Sequence, residues 1–259
     1  MLIGLENKIE KFKKLIKENK LRQSYLFFGE PQIGKFTFAS GLVNFLENGE
    51  FVSPSAGGRP LIDAKFFSPD ESGIIGIDAV RELKKFLYQR PFLSLRRSAV
   101  FDSAESLTNE AQNALLKIIE EPPSFSLVIF ISREASVFSP TLASRFVKVY
   151  FPRLSQKLIE KFLRENFRVD SAKASLVAKQ SFGRIGRAIE IMKPETENKE
   201  QEKGDNLDEY LEETILSLRK NLLKNSSKLS WLLEREELLK RYNLNRNLQF
   251  KTITQKIHE

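Results

Sequence analysis

Gly29, Gly34 and Lys35 stand at the spacing Gly-x4-Gly-Lys within YLFFGEPQIGKFTFA, after a short apolar run and before a helical pattern. In that setting the backbone N–H groups of a turn and of a helix N-terminus can converge on phosphate oxygens, and the lysine adds a point charge. An ordinary glycine turn leading into a helix is the competing explanation. The next residue is Phe36, where a working phosphate loop needs a hydroxyl to hold the magnesium that bridges the β- and γ-phosphates. A phenyl ring has no donor or acceptor to offer. Thr37 follows, rotated by about 100° around the helix, and is expected to point elsewhere.

A second group of candidates lies at the end of the third apolar run. SAVFDSAESL places Asp102 after the run and Ser103 behind it. A hydrolytic site needs one acid for the metal and another to activate water. Asp102 can fill the first role, but a serine at neutral pH is no general base. Glu105 lies further on and reads equally well as a solvated loop residue. Nucleotide binding through Gly29, Gly34 and Lys35 stays open, whereas efficient metal-assisted hydrolysis is not expected.

These residues need strands and helices to bring them together. Leu5, Ile9, Phe12 and Ile16 recur at helical spacing and predict an amphipathic first helix. Five apolar runs then alternate with helical patterns: 25–28, 64–67, 98–101, 127–131 and 146–151. One helix is expected from about Gly34 to Glu47. Another, carrying Val80, Leu83 and Leu87, has Asp78 as its candidate cap. A third runs from about Thr108, with Ala111, Ala114, Leu115, Ile118 and Ile119 on one face, until Pro122 and Pro123 stop it. Continuous apolarity in the runs predicts strands covered on both faces, hence a parallel sheet between helices. The chain therefore reads as an α/β core over 1–152. A purely helical stretch follows over 153–192, broken at Arg168–Asp170 and at FGRIG. Residues 193–206, with no apolar side chain and five acids against three lysines, read as a linker, and 207–259 as a last helical unit.

Composition narrows the function classes. With 41% hydrophobic and 29% charged residues the chain can bury a core. No cysteine and a single histidine, His258, exclude disulfides and zinc sites, and no metal site is expected. The start of the chain breaks into charge too early for a secretory signal, and runs such as LVIFI are too short to span a bilayer, so a cytoplasmic setting is the simplest expectation. The net charge of +8 suits a polyanionic partner without requiring one. Lys8, Lys11, Lys13, Lys14, Lys17 and Lys20 read as a solvated helix face, and Arg90, Arg96 and Arg97 form a second basic cluster. No aromatic platform for single strands is visible, so any DNA contact is expected to be to phosphates.

SPDESGIIGIDAVRELKKFL, AVFDSAESLTNEAQNALLKIIEEPP, LASRF and FGRIGRAIEI, in that order, resemble the delta-prime-type subunits of bacterial DNA polymerase III clamp loaders, members of the AAA+ family. The resemblance covers about residues 1–192. It implies a five-stranded AAA+ core, a small helical lid and a helical collar that joins subunits in a hetero-oligomeric ring, which opens the sliding clamp and places it on primed DNA. It also implies that Ser144-Arg145-Phe146 takes the place of the family's Ser-Arg-Cys motif, with Arg145 offered across a subunit interface to the γ-phosphate of a neighbour's ATP. A guanidinium is permanently charged and forks onto phosphate oxygens. Arg145 as a structural cap before the last strand is the alternative. Ser132 falls at the family's sensor position. Arg187 resembles the lid's sensor arginine, with Arg184 as competitor and a plain helix boundary as the third reading.

Two departures stand out. The interval before the second apolar run lacks the cysteines of the family's zinc module, so no zinc is expected. The collar-like segment of 53 residues, 207–259, is short. The resulting expectation is a subunit that holds ATP or ADP without efficient hydrolysis and lends Arg145 to a partner. The rivals are a stand-alone AAA+ ATPase using Lys35 and Asp102, and a nucleic-acid-binding module without a loader role.

Overall fold

The structure, a computed structural model, describes residues 2–53, 60–192, 207–219, 222–241 and 246–258. The polar segment 193–206 expected as a linker lies outside the described residues. The chain divides into two compact units, Met1–Lys193 and Pro194–Glu259.

In the first unit the five apolar runs become β1 (Ser24–Phe28), β2 (Ala64–Phe67), β3 (Arg97–Phe101), β4 (Ser126–Ser132) and β5 (Val147–Tyr150). All pair in parallel, in the order β2-β3-β4-β1-β5, which is the expected α/β sheet of the AAA+ type. Before β1 lies α1 (Glu6–Lys17), and between the strands lie α2 (Lys35–Asn48), α3 (Ile77–Leu87), α4 (Asn109–Glu120) and the short α5 (Pro140–Ala143). The period-2 alternation sorts side chains onto two buried faces. Tyr25, Phe27, Leu127, Ile129 and Ile131 pack with Phe12 of α1 and with Phe38 and Leu42 of α2. Leu26, Phe101, Val128 and Phe130 pack on the other face with Leu83 and Leu87 of α3 and Leu115 and Ile118 of α4. The ring of Phe101 stacks between Phe67 and Phe130 at 4.4 and 4.9 Å, tying three adjacent strands together.

The two edge strands depart from the expectation of full cover. Phe66 on β2 and Val147 and Tyr150 on β5 are exposed, because an edge strand lacks a neighbour on one side. Asp78 is not the cap of α3 either. The helix starts from Gly76 in extended backbone, and Asp78 sits in its first turn, bonded to Arg81 at 2.7 Å. Thr108 does cap α4, accepting from the N–H of Ala111 at 3.2 Å.

The helical stretch after β5 forms α6 (Gln156–Phe167), α7 (Ser171–Gln180) and α8 (Ile185–Met192) around Ile159, Leu163, Ala174, Val177 and Ala188. Its two breaks fall where expected. Arg168 ends α6 in the left-handed region and Asp170 caps α7; Phe182 and Gly183, also left-handed, turn the chain into α8. The second unit holds α9 (Leu207–Leu218), α10 (Leu222–Arg241) and α11 (Arg246–His258), packed through Leu207, Leu211, Leu232 and Ile253. Among the described residues no helix is long and apolar enough to cross a membrane.

One buried carboxylate organises the approach to β3. Asp63, fully buried, accepts the backbone N–H groups of Phe92, Leu93 and Ser94 at 2.6–2.9 Å and the guanidinium of Arg97 at 2.7 Å. Burial by itself would raise the Asp63 pKa. The N–H groups of Ser94, Phe92 and Leu93, together with Arg97, outweigh it and hold the carboxyl below the usual aspartate value. Arg97 also donates to the Phe86 carbonyl and lies over the Phe86 ring at 4.1 Å, while Arg96 donates to the carbonyls of Leu21, Ser124 and Ser126. Two of the three arginines in the basic cluster are thus committed to the fold, which removes most of that cluster as a phosphate-contacting surface.

Asp63→Ala, leaving three N–H groups and a guanidinium without their acceptor, should cost about 3–5 kcal/mol in urea unfolding. Because the folded pKa is depressed, this stability is present above the unfolded aspartate value near 3.8 and is lost as pH falls through the folded value. An unfolding free energy within about 1 kcal/mol of wild type at neutral pH would show that Asp63 does not anchor the loop.

Candidate functional site

The carboxyl ends of β1, β3 and β4 open on one edge of the sheet, the usual place for a ligand in an open α/β fold. Phe28 pairs with Ser132, and Phe101 with Phe130, so the segments that follow these strands emerge side by side. A cleft of about 450 Å³ lies there. Its walls include Gly34, Lys35 and Phe36 from the loop and α2, Asp102, Ser103 and Glu105 after β3, Ser132 and Arg133 at the end of β4, and Ile185, Gly186 and Ile189 of α8.

The loop's two glycines have different reasons to be glycine. Gly29 has a φ of 143°, and a Cβ there would overlap the Phe151 carbonyl oxygen, so close passage of the chain after β5 demands it. Gly34 caps α2 at a φ of 92°, where a Cβ would meet only Leu5 at ordinary contact distance, and it leaves the first turn of the helix facing the cleft. Lys35 is buried. Its ammonium folds back to donate to the carbonyls of Gly29 at 2.5 Å and Glu30 at 2.6 Å. Burial lowers its pKa to about 8, against the pull of Glu105 and Asp102 and with the help of Arg133.

Phe36 turns its ring outward, 41% exposed, against Phe66 at 5.7 Å. Thr37 also borders the cleft. Asp102 is half-buried, and burial raises its pKa, partly offset by the Ser103 N–H at 3.1 Å and by Lys35. Ser103 takes a left-handed φ of 58° and starts a 3-10 turn, Ala104–Ser106, that carries Glu105 back into the cleft. Glu105 is therefore a wall residue, 3.7 Å from the Nε of Arg133. Ser132 lines the cleft with its hydroxyl already donating to the Glu134 carbonyl at 2.6 Å.

The helices after β5 close one side and contribute Ile185, Gly186 and Ile189 to the wall, with Arg187 not among the lining residues. Arg187 is buried in the lid with its guanidinium 5.4 Å from the centre of the Phe182 ring, and Arg184 is buried as well. The left-handed turn at Phe182 and Gly183 sets the rotation of α8 so that Gly186 faces the loop. The Gly186 N–H donates to the Gln32 carbonyl at 2.8 Å, and the Gln32 amide donates to both carboxylate oxygens of Glu190 at 2.9–3.0 Å. Arg153 adds a bond to Glu30 at 2.8 Å. Loop and lid are thus latched directly.

Arg145 stands apart from the cleft, just after α5. It pairs with Glu120 at 2.6 Å and donates to the Thr141 carbonyl. Arg133 and Gln32 escaped notice in the sequence. Arg133 had a usable signal, as the first residue after a strand that neighbours the strand of Asp102; Gln32 had none.

A phosphate group fits this arrangement: a loop, a helix N-terminus and two cations meet around one cavity. The position after the lysine offers a phenyl ring where a divalent ion would need an oxygen, and burial raises the pKa of Asp102.

Residues 4–155 match the family model described as DNA polymerase III, delta subunit. Over 159 residues the chain is 30% identical to DNA polymerase III subunit gamma/tau of Mycoplasma pneumoniae, covering 58% of this chain and 23% of that protein. Over 78 residues it is 37% identical to DNA polymerase III subunit delta' of Pseudomonas aeruginosa, covering 30% of this chain and 24% of that one. A DNA polymerase III gamma-subunit-related protein from Thermotoga maritima superposes with a TM-score of 0.51 at 21% identity, over 93% of this chain and 96% of the other. The RuvB Holliday junction branch migration motor of Thermotoga maritima gives 0.53 at 17% identity, over 73% and 61%. At such identities the structural likeness establishes the fold alone. The chain spans less than a quarter of the gamma/tau protein's length.

The Lys35 amine yields a prediction in the absence of any ligand. The unfolded chain binds this proton more tightly than the folded one, so wild type should gain stability relative to Lys35→Met as pH rises from about 8 toward about 10. Urea unfolding of both proteins at about pH 7 and about pH 9.5, followed by circular dichroism, measures the gap. A gap independent of pH would mean that the amine titrates as an ordinary lysine.

Proposed function

The chain belongs to the DNA polymerase III delta-subunit family of AAA+ clamp-loader proteins, and from that premise we propose that it serves as a delta-prime-type subunit with a degenerate nucleotide site of its own. In this reading it helps a hetero-oligomeric ring load a sliding clamp on primed DNA, which the ring contacts through phosphates. Hydrolysis occurs in a partner's site, and Arg145 reaches that site's γ-phosphate. The cleft of this chain keeps ATP or ADP as a structural wedge.

The observation that carries the reading is the pair of replacements in one cleft. Phe36 occupies the place of the metal-holding hydroxyl, and Ser103 the place of the water-activating acid. Lys35, Gly29 and Gly34 keep the loop's shape. Arg145 is held at the protein surface by an ion pair and a carbonyl bond, which supports its availability for a role in trans. Exposed pairs of this kind contribute about 0–1 kcal/mol.

A second reading, a stand-alone AAA+ ATPase, draws support from one specific feature: Glu105 reaches the cleft and is a carboxylate within range of Arg133. It requires Glu105 to act as base at a site lacking the metal's hydroxyl ligand.

The test is reconstitution with clamp-loader ATPase subunits and the clamp. Arg145→Ala should fold with a melting temperature close to wild type and lower DNA-stimulated ATP turnover of the assembled complex by roughly 10³-fold, the lower end of what an arginine finger supplies. Full turnover with the variant would remove Arg145 from the chemistry and reduce its role to bonding Glu120.

A further inference from the structure

We propose that the cleft binds the phosphates of a nucleotide without a divalent metal, with Arg133 supplying the second positive charge. This rests on the reading of the cleft as a degenerate nucleotide site and adds how its charge balance is met.

The charges facing the cleft are few and can be named. Lys35 and Arg133 are the cations; Asp102 and Glu105 are the anions. Glu30, next to the loop, is held by Arg153. In a metal-bearing site a dication offsets the polyphosphate, and the acids serve to hold it. Here Phe36 offers no oxygen to such an ion, so the acids oppose an incoming phosphate unless a second fixed cation compensates.

Arg133 is placed to do so. Its backbone carbonyl accepts the N–H of Gly29 at 3.2 Å, which fastens the residue beside the start of the phosphate loop. Its side chain is 61% exposed, and its contact with Glu105 is a 3.7 Å approach through Nε. That pair is long and solvated, so a phosphate can replace the carboxylate at little cost. A guanidinium also forks onto two phosphate oxygens, which the Lys35 ammonium cannot do. Glu105 then acts as a place-holder, neutralising Arg133 until an anion of higher charge takes over. The Lys35 ammonium, held by Gly29 and Glu30, marks the other end of the phosphate track.

The experiment is calorimetric binding of ADP and ATP to the full chain, in magnesium and in EDTA, for wild type, Arg133→Ala, Arg133→Lys and Glu105→Gln. Wild type should bind each nucleotide equally, within about twofold, with or without the metal. Arg133→Ala should weaken binding about tenfold or more, Arg133→Lys less, and Glu105→Gln should tighten it severalfold. Both positions are exposed or half-exposed, so the variants should keep wild-type circular dichroism and melting temperature, and a variant that does not is replaced by the conservative one. Magnesium that tightens binding tenfold, an Arg133→Ala protein that binds as wild type does, or no binding to wild type at all would each overturn the proposal. None of these outcomes touches the role of Arg145, which is read from turnover in the assembled complex.

Discussion

The ammonium of Lys35 lies inside its own loop, bonded to the Gly29 and Glu30 carbonyls and shielded by the sheet and the lid. A buried cation of this kind persists only because the fold surrounds it with acceptors and acids. The acceptors come from the turn that β1 feeds into α2; the acids come from Asp102 and Glu105 after β3. The neighbouring cation, Arg133, comes from the end of β4. All three strands must end together for these groups to meet, and the parallel register with β1 beside β4 ensures that they do. The sheet order is therefore the constraint on which the cleft depends, and Lys35 is where its consequences concentrate.

The residue after the lysine is aromatic and packs on Phe66 at the sheet edge. Asp102 remains, but burial works against its ionised form. Ser103 contributes a left-handed backbone turn whose effect is to return Glu105 to the cleft. The cleft gathers two cations and two acids, with a phenyl ring after the lysine. The helices after β5 close on the same loop. Gly186 presses against Gln32, where any Cβ would stand 2.9 Å from the Gln32 Cβ, and Glu190 grips the Gln32 amide.

Much of this architecture was legible from residue types. The strands, the helix starting near Thr108 and the break at Arg168–Asp170 follow from local patterns, since a side chain that starts a helix or fills a sheet face acts within a few residues of itself. The glycine–lysine spacing at the start of α2 was legible for the same reason. What escaped depends on rotation or on distant partners. Asp78 carries the signal of a cap and of a first-turn acid alike, and only the backbone at Gly76 decides between them. GRIGRA offers two arginines, and the left-handed turn before it determines that a glycine faces the cleft instead. Arg96 and Arg97 look like surface charge until Asp63, 34 positions away from Arg97, claims one of them.

The central claim is that this chain, though built as an AAA+ core, does not carry out phosphate transfer in its own cleft. The most direct measurement is release of inorganic phosphate from ATP by the purified chain alone in magnesium, compared with Lys35→Ala under the same conditions. The account predicts two indistinguishable rates at the background of uncatalysed hydrolysis. Sustained, magnesium-dependent release that Lys35→Ala abolishes would contradict it.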